Sequence, residues 1–356
     1  MSGVLTGGVF ATGTDDLTDL RNLAEDIGAR SFEARIGYRT LPDSLDETAW
    51  RHLEDAGLTR LVSADDSGGG PVESAVVLRA LARHAVTVPV AETDLLAGWL
   101  GATAGVAVAP SGPLTVAFGG AETSGGKVTA TIPAVPYAAT ATEVVLALRD
   151  GERLLVAVCD PAELSITKGH NGGEPRDTVI VEKAASDFAA VDGAVPELLH
   201  RGAWARCVQI IGALDAAVEF SVAHTREREQ FGRPLSAFQA VQHALAAMAG
   251  EVERARAATN LAVAAVADHG FASPEAEYAV TVAKVTLGQV VPAVVTSAHQ
   301  LHGAIGVTIE HRLWLATMRA RSWIEEFGDT AHYARRLGRL ALSGADPWDV
   351  IIGGAY

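Results

Sequence analysis

Thr225-Arg226-Glu227-Arg228-Glu229-Gln230-Phe231-Gly232-Arg233-Pro234-Leu235 is the stretch that decides how the chain is read. It is the densest run of charge in a weakly charged chain. Upstream, Trp204, Val208, Ile211, Leu214 and Val218 recur at helical spacing; downstream, Phe238, Val241, Leu245, Met248 and Val252 do the same. Each set is the apolar stripe of one helix. Gly232 and Pro234 break the period between them, as a turn requires. A charged elbow between two buried helices faces either solvent or a ligand, and the pattern alone is met by a solvated helix hairpin.

Composition bounds the rest. A chain of 356 residues with 49 % hydrophobic content is globular and can hold two or three packed units. A formal charge of −15 offers no basic field for a phosphate backbone, so no nucleic-acid partner is expected. Cys159 and Cys207 are far apart with apolar neighbours. They read as buried thiols of a reducing cytoplasm, with a disulfide as the alternative. No uninterrupted apolar run has the length of a membrane span, so no membrane partner is expected. The start of the chain lacks the basic region and apolar core of a signal peptide. Met1 to Thr14 is Gly-rich and reads as a loose arm.

The period of the apolar residues divides the chain into three blocks. Residues 1–112 read as helical, with stripes at Leu17, Leu20, Leu23 and Ile27, then Trp50, Leu53 and Leu58, then Glu73–His84 and Thr93–Val106. Asp43 or Ser44 is the expected cap of the second helix. Residues 113–193 change to short alternating runs, Leu114-Val116-Phe118, Val128-Ala130-Ile132, Val144-Leu146-Leu148, Leu154-Val156-Val158 and Val179-Val181, separated by glycines and Asp160-Pro161. That is a small antiparallel β-domain. Residues 194–356 return to helix in four segments, 196–226, 235–269, 273–302 and 310–342, which predicts a four-helix bundle. The fold class is therefore α+β.

Two stretches carry a resemblance. "REREQFGRPLSAFQAVQHALAAM" followed by "SAHQLHGAIGVTIEHRL" resembles the C-terminal half of the acyl-CoA dehydrogenase family, and weaker similarity reaches the N-terminal third. The resemblance implies a helix–β–helix architecture and FAD as cofactor. It also implies a glutamate that removes the α-proton of an acyl-CoA while the β-hydride goes to the flavin. Each flavin site in the family is built from two subunits. Arg228 matches the family's pyrophosphate-binding arginine, a planar cation suited to a diphosphate. Phe231 matches the aromatic that packs on the cofactor, Gln300 the amide at its adenosine diphosphate part, and Gly303 a position of close backbone approach. Taken singly, Arg228 also reads as a solvated surface charge and Phe231 as core packing.

Other parts of the family site are missing. The cradle loop falls on Ala117-Phe118-Gly119-Gly120-Ala121-Glu122, and the strand behind the flavin ring on Val135-Pro136-Tyr137-Ala138, where proline removes a donor. The usual base position falls on Phe327 and the alternative one on Gly202, and neither residue takes a proton. Glu325, Glu326 and Asp329 lie close enough for a register error to restore a base, and Glu326 and Glu325 are the fallback bases. Gln239 and Gln242 read as ligand contacts or inter-helix hydrogen bonds. His299 and His302 form only a weak metal signal without a carboxylate or thiol, so no metal is expected.

A kept clamp with a lost cradle and base resembles the shorter subunit of bacterial α2β2 heterotetrameric acyl-CoA dehydrogenases acting on steroid side-chain CoA thioesters. The expected partners are a second, catalytic acyl-CoA dehydrogenase subunit, the acyl-CoA substrate and an electron-transfer flavoprotein. A self-sufficient homo-oligomer using Glu325 or Glu326, and a non-catalytic scaffold, remain open at this point.

Overall fold

The computed structural model describes residues 14–36, 44–64, 68–343, 346 and 348. All of the Met1–Thr14 arm except Thr14, and the candidate cap Asp43, lie outside them. The described residues group into two compact units, each interleaved along the chain. The helical unit comprises Met1–Thr40, Pro71–Ala85 and Arg206–Tyr356; the sheet-bearing unit comprises Leu41–Gly70 and Val86–Ala205. The block of residues 1–112 thus contributes helices to both.

In the helical unit, α1 (Thr14–Ile36) packs on α3 (Pro71–Arg83). The long helices are α5 (Ala194–Glu227, its last two thirds here), α6 (Gln239–His269) and α7 (Pro274–His302). The fourth expected segment is two helices, α8 (Leu313–Glu325) and α9 (Thr330–Ser343). Phe327 and Gly328 between them sit at positive φ, a break that the apolar period does not register. α7 starts as expected, with the Ser273 side chain accepting from the Ala276 N–H and Pro274 in the first turn. The upstream stripe of α5 is buried from Trp204 through Leu214. That of α6 is buried only from Met248 onward, leaving Val241 and Leu245 half-buried. Two helical stretches, Ala194–Glu227 and Pro274–Val307, are long and apolar enough to cross a membrane. Inspection of uninterrupted runs misses them because charges are interspersed; more than half of each apolar window is buried in the fold.

The sheet-bearing unit holds α2 (Glu47–Asp55), capped by Asp46 rather than by Ser44: its carboxylate accepts from the Ala49 N–H at 3.0 Å. The expected fourth helix begins as a buried π-helix, Glu92–Gly98, and continues as α4 (Trp99–Ala104). Inside it Asp94 accepts from the Val62 and Ser63 N–H groups at 3.0 and 2.8 Å, which anchors the preceding turn. The strands are β1 (Leu114–Gly120), β2 (Glu122–Ser124), β3 (Lys127–Pro136), β4 (Glu143–Asp150), β5 (Arg153–Cys159), β6 (Ser165–Thr167), β7 (His170–Asn171), β8 (Glu174–Ala184) and β9 (Ala189–Asp192). One sheet runs β1-β4-β5-β9 and the other β2-β3-β8-β6, with β7 on β8. The pairs are antiparallel except β1–β4, which is parallel and departs from the expected pattern. Side chains from both sheets, among them Ala117, Ile132, Leu146, Ala157 and Val181, form one core. Cys159 and Cys207 are both buried free thiols.

Candidate functional site

The charged elbow folds as a miniature hairpin. β10 (Glu229–Gln230) pairs with β11 (Arg233–Pro234) around the two-residue turn Phe231-Gly232. Both turn residues have positive φ, 53° and 78°, which is the geometry of a type I′ turn. The Leu235 N–H closes its base on the Arg228 carbonyl at 2.8 Å. Arg233 lies 4.1 Å over the Phe238 ring, and Phe238 meets Phe231 edge-on at 6.2 Å. Phe231 is otherwise held out in solvent, 91 % exposed. Arg228 is exposed, and among the described residues its side chain makes no hydrogen bond or ion pair.

The second motif lies at the end of α7. Gln300 is exposed on the last turn, and Gly303 caps the helix with φ 64° and ψ −146°, its N–H bonded to the His299 carbonyl. That backbone suits glycine, and a Cβ there would meet nothing within 4 Å. The two motifs are joined directly. The Arg228 N–H bonds to the His224 carbonyl at 2.9 Å, and the His224 ring stacks at 4.5 Å on His302, the residue before Gly303. Burial, then the Arg228 charge, holds His224 below the usual imidazole range. An arginine without an internal acid, a projecting phenyl ring, an exposed amide and an open glycine therefore share one end of the helical unit. They fit a nucleotide diphosphate.

The segments matched to the flavin cradle are packed within the sheet-bearing unit. Ala117–Gly120 are the end of β1, and a Cβ at Gly119 would stand 3.0 Å from Ile132 Cγ1. After Pro136 the chain turns at Tyr137, φ 53°, whose ring is buried and whose hydroxyl donates to Glu174 at 3.3 Å. Glu174 in turn pairs with Arg176 at 3.0 Å, both side chains buried. Tyr137, Glu174 and Arg176 thus form a buried polar chain behind Pro136.

At the base position stands Phe327. Glu326 is committed to Arg206, a fully buried cation 2.8 Å away, which also donates to Gln209 at 2.6 Å. Arg206 lies 5.6 Å from the Phe327 ring. The buried Lys284 donates to the Ile324 and Glu326 carbonyls at 2.6 and 2.9 Å and so ties down the end of α8. Burial lowers the pKa of that amine. Glu325 is exposed, Asp329 accepts from the His332 N–H at the start of α9, and Gly202 is buried within α5. Arg206 and Lys284 escape sequence reading because their partners are remote in the chain. A cation inside an apolar helical stripe was the available signal.

Gln239 and Gln242 are exposed, and Gln242 bonds locally to the Ser236 carbonyl at 2.9 Å rather than across helices. His299 and His302 do not pair. His299 Nε2 meets Thr317 Oγ1 at 2.9 Å, whereas His302 groups with His224 and His311, an association no local spacing announces.

A helix–sheet–helix fold defines the class, and comparison with known proteins agrees on that fold. The acyl-CoA dehydrogenase C-terminal domain matches residues 193–336. The acyl-CoA dehydrogenase IpdE2 of Mycolicibacterium smegmatis is 27 % identical over 313 residues, 86 % of this chain and 90 % of that protein. The acyl-CoA dehydrogenase FadE27 of Mycobacterium tuberculosis is 26 % identical over 368 residues, covering 92 % and 97 %. Among solved structures, a variant of the Tcur3481-Tcur3483 steroid ACAD superposes with a TM-score of 0.79 at 27 % identity, over 96 % of this chain and 99 % of that one. The ChsE4-ChsE5 complex from Mycobacterium tuberculosis shares the fold, with a TM-score of 0.78 at 23 % identity over 94 % and 99 %. Residues 193–336 are an acyl-CoA dehydrogenase C-terminal domain, and over most of its length the chain is similar to acyl-CoA dehydrogenases, which are oxidoreductases. A glutaryl-CoA dehydrogenase from Mycobacterium smegmatis that shares the fold, with a TM-score of 0.75 at 15 % identity, was solved in complex with FADH2.

Proposed function

We propose that this chain is the base-lacking subunit of an α2β2 acyl-CoA dehydrogenase and completes the FAD site of a catalytic partner subunit. The observation that carries the proposal is the pairing of two opposites. One end of the helical unit presents an unengaged Arg228 beside an exposed Phe231, while the cradle and base positions are closed by internal contacts. FAD supplies the hydride acceptor for α,β-dehydrogenation of the acyl-CoA. This chain's part is to bind. Arg228 neutralises the diphosphate, Phe231 covers the cofactor, Gln300 offers its amide and Gly303 admits close approach. The α-proton goes to a carboxylate of the partner, since Glu326 is held by Arg206. The half-buried Val241 and Leu245 of α6 suit a chain that works inside an assembly.

Similarity to a steroid ACAD and to a two-component complex supports a bulky, steroid-type acyl group and a heteromeric partner. A cytoplasmic location, with an electron-transfer flavoprotein taking the electrons, completes the proposal; two free thiols suit that compartment.

The test is the flavin-to-protein ratio. The chain purified alone should be nearly colourless, and co-expression with the catalytic subunit should give a yellow α2β2 complex. Arg228→Ala should strip flavin from that complex while leaving the melting temperature of the isolated chain unchanged. A yellow homo-oligomer that bleaches with acyl-CoA, or full flavin retention in the variant complex, would overturn the proposal.

A further inference from the structure

Three imidazoles converge in the helical unit at a point the nucleotide reading does not use. His224 lies in the last turn of α5, His302 ends α7 and His311 precedes α8. One ring nitrogen from each lies within 4.8 Å of the others. His302 is 5 % exposed. Its Nδ1 is 2.7 Å from the Ala298 carbonyl, which can only accept, so Nδ1 carries the proton. Nε2 is left as a buried lone pair without a hydrogen-bond partner among the described residues. The Phe220 carbonyl also faces the ring without reaching hydrogen-bond geometry at Nε2. One nitrogen tied to a main-chain carbonyl and the other bare is how a metal-ligating histidine is held.

The other two rings can complete the set. His311 accepts the Leu313 N–H at 3.1 Å through Nδ1, a long capping bond that a cation at that nitrogen would replace. His224 stacks on His302 with 20° between the ring planes, so ligation turns it out of the stack about χ2, a motion open to a half-exposed side chain. The charges nearest the group are Arg228 and Glu227 around His224 and Arg312 beside His311. Three neutral imidazoles without a carboxylate or thiolate suit a borderline ion and leave a position for solvent.

We propose that His224, His302 and His311 bind a divalent cation of the zinc class. The ion ties the turn before Arg228 to the residue before Gly303. The site does not depend on the flavin assignment and stands even for a chain that binds no nucleotide.

The experiment uses the full chain, alone and in its complex, titrated with Co2+ and with Zn2+. One Co2+ per chain with the visible ligand-field bands of a four-coordinate ion, displaced by Zn2+, is the expected result. His224→Gln and His302→Gln should each weaken binding about tenfold or more. His243→Gln, on the exposed face of α6, should change nothing. His224 is only half-buried, so its variant reports even where His302→Gln fails to fold. Absence of stoichiometric binding overturns the proposal, as does binding that survives both cluster variants or is lost in His243→Gln.

Discussion

A phenylalanine at φ 53° crowds its Cβ against its own backbone, at a cost of roughly 1–3 kcal/mol. Asparagine is the residue a type I′ turn favours at that place. Phe231→Asn should therefore raise the stability of the isolated chain by about 1 kcal/mol, read as a higher urea midpoint. The same variant should lower the flavin content of the complex, since the projecting ring is lost. A stabilised variant with undiminished flavin would leave the strain without a purpose. Sequence named Phe231 only through resemblance. Its conformation was hidden because Phe-Gly, unlike Asn-Gly, does not announce a primed turn. Arg228 was equally ambiguous until the structure left its side chain without an ion-pair partner among the described residues. The residues at the expected base and cradle positions were legible as residue types. Their occupation by Arg206–Glu326 and Tyr137–Glu174–Arg176 was not, because it depends on contacts between remote parts of the chain.

Helices α3 and α5 touch main chain to side at Gly212. A Cβ there would stand 2.2 Å from the Arg79 carbonyl oxygen and 2.9 Å from the Arg83 nitrogen. Backbone cannot swing aside as a side-chain end can. Gly212→Ala should cost about 3 kcal/mol or more and show as a large drop in melting temperature. Around the same junction, Glu25 of α1 meets Arg83 at 3.0 Å and His84 at 2.5 Å, and Arg83 reaches Glu219 of α5. Burial would raise the Glu25 pKa, but the hydrogen bond from His84 and the Arg83 charge outweigh it, and the net shift is downward. The unfolded chain then holds more protons than the folded one as pH falls below about 4.5, so the stabilisation present above that range is lost on acidification. Glu25→Gln should flatten the acid limb of a stability-against-pH curve measured by urea unfolding; an unchanged limb would remove Glu25 from the acid response. At this scale the periodicity was a sound guide to α5, α6, α7 and the strands. It missed the break at Phe327-Gly328, where two positive-φ residues end an apolar pattern that itself continues. It also missed the parallel β1–β4 pair, because strand order follows from long-range pairing and not from alternation.

At the scale of the molecule, the question is where the proton-accepting carboxylate resides. If the partner holds it, Glu326→Gln should leave the turnover of each intact flavin-loaded complex nearly unchanged. Stability should nonetheless fall, on the order of 2–3 kcal/mol, because buried Arg206 loses its counter-charge. Measuring kcat per bound flavin alongside the melting temperature separates these effects. A collapse of kcat with flavin retained would restore Glu326 as the base. The change of apolar period along the sequence recovered the order of helices and strands. The grouping of α1 and α3 with the C-terminal helices was beyond it, since nothing in a linear pattern says which distant segments close on each other.

Lys284, sealed beneath the end of α8, has a practical corollary. The chain has four lysines, and the other three, Lys127, Lys168 and Lys183, all belong to the sheet-bearing unit. Amine-directed cross-linkers and acylating thioesters thus find no accessible lysine on the helical unit. A footprint of the proposed subunit contact would have to be read through its carboxylates and arginines instead.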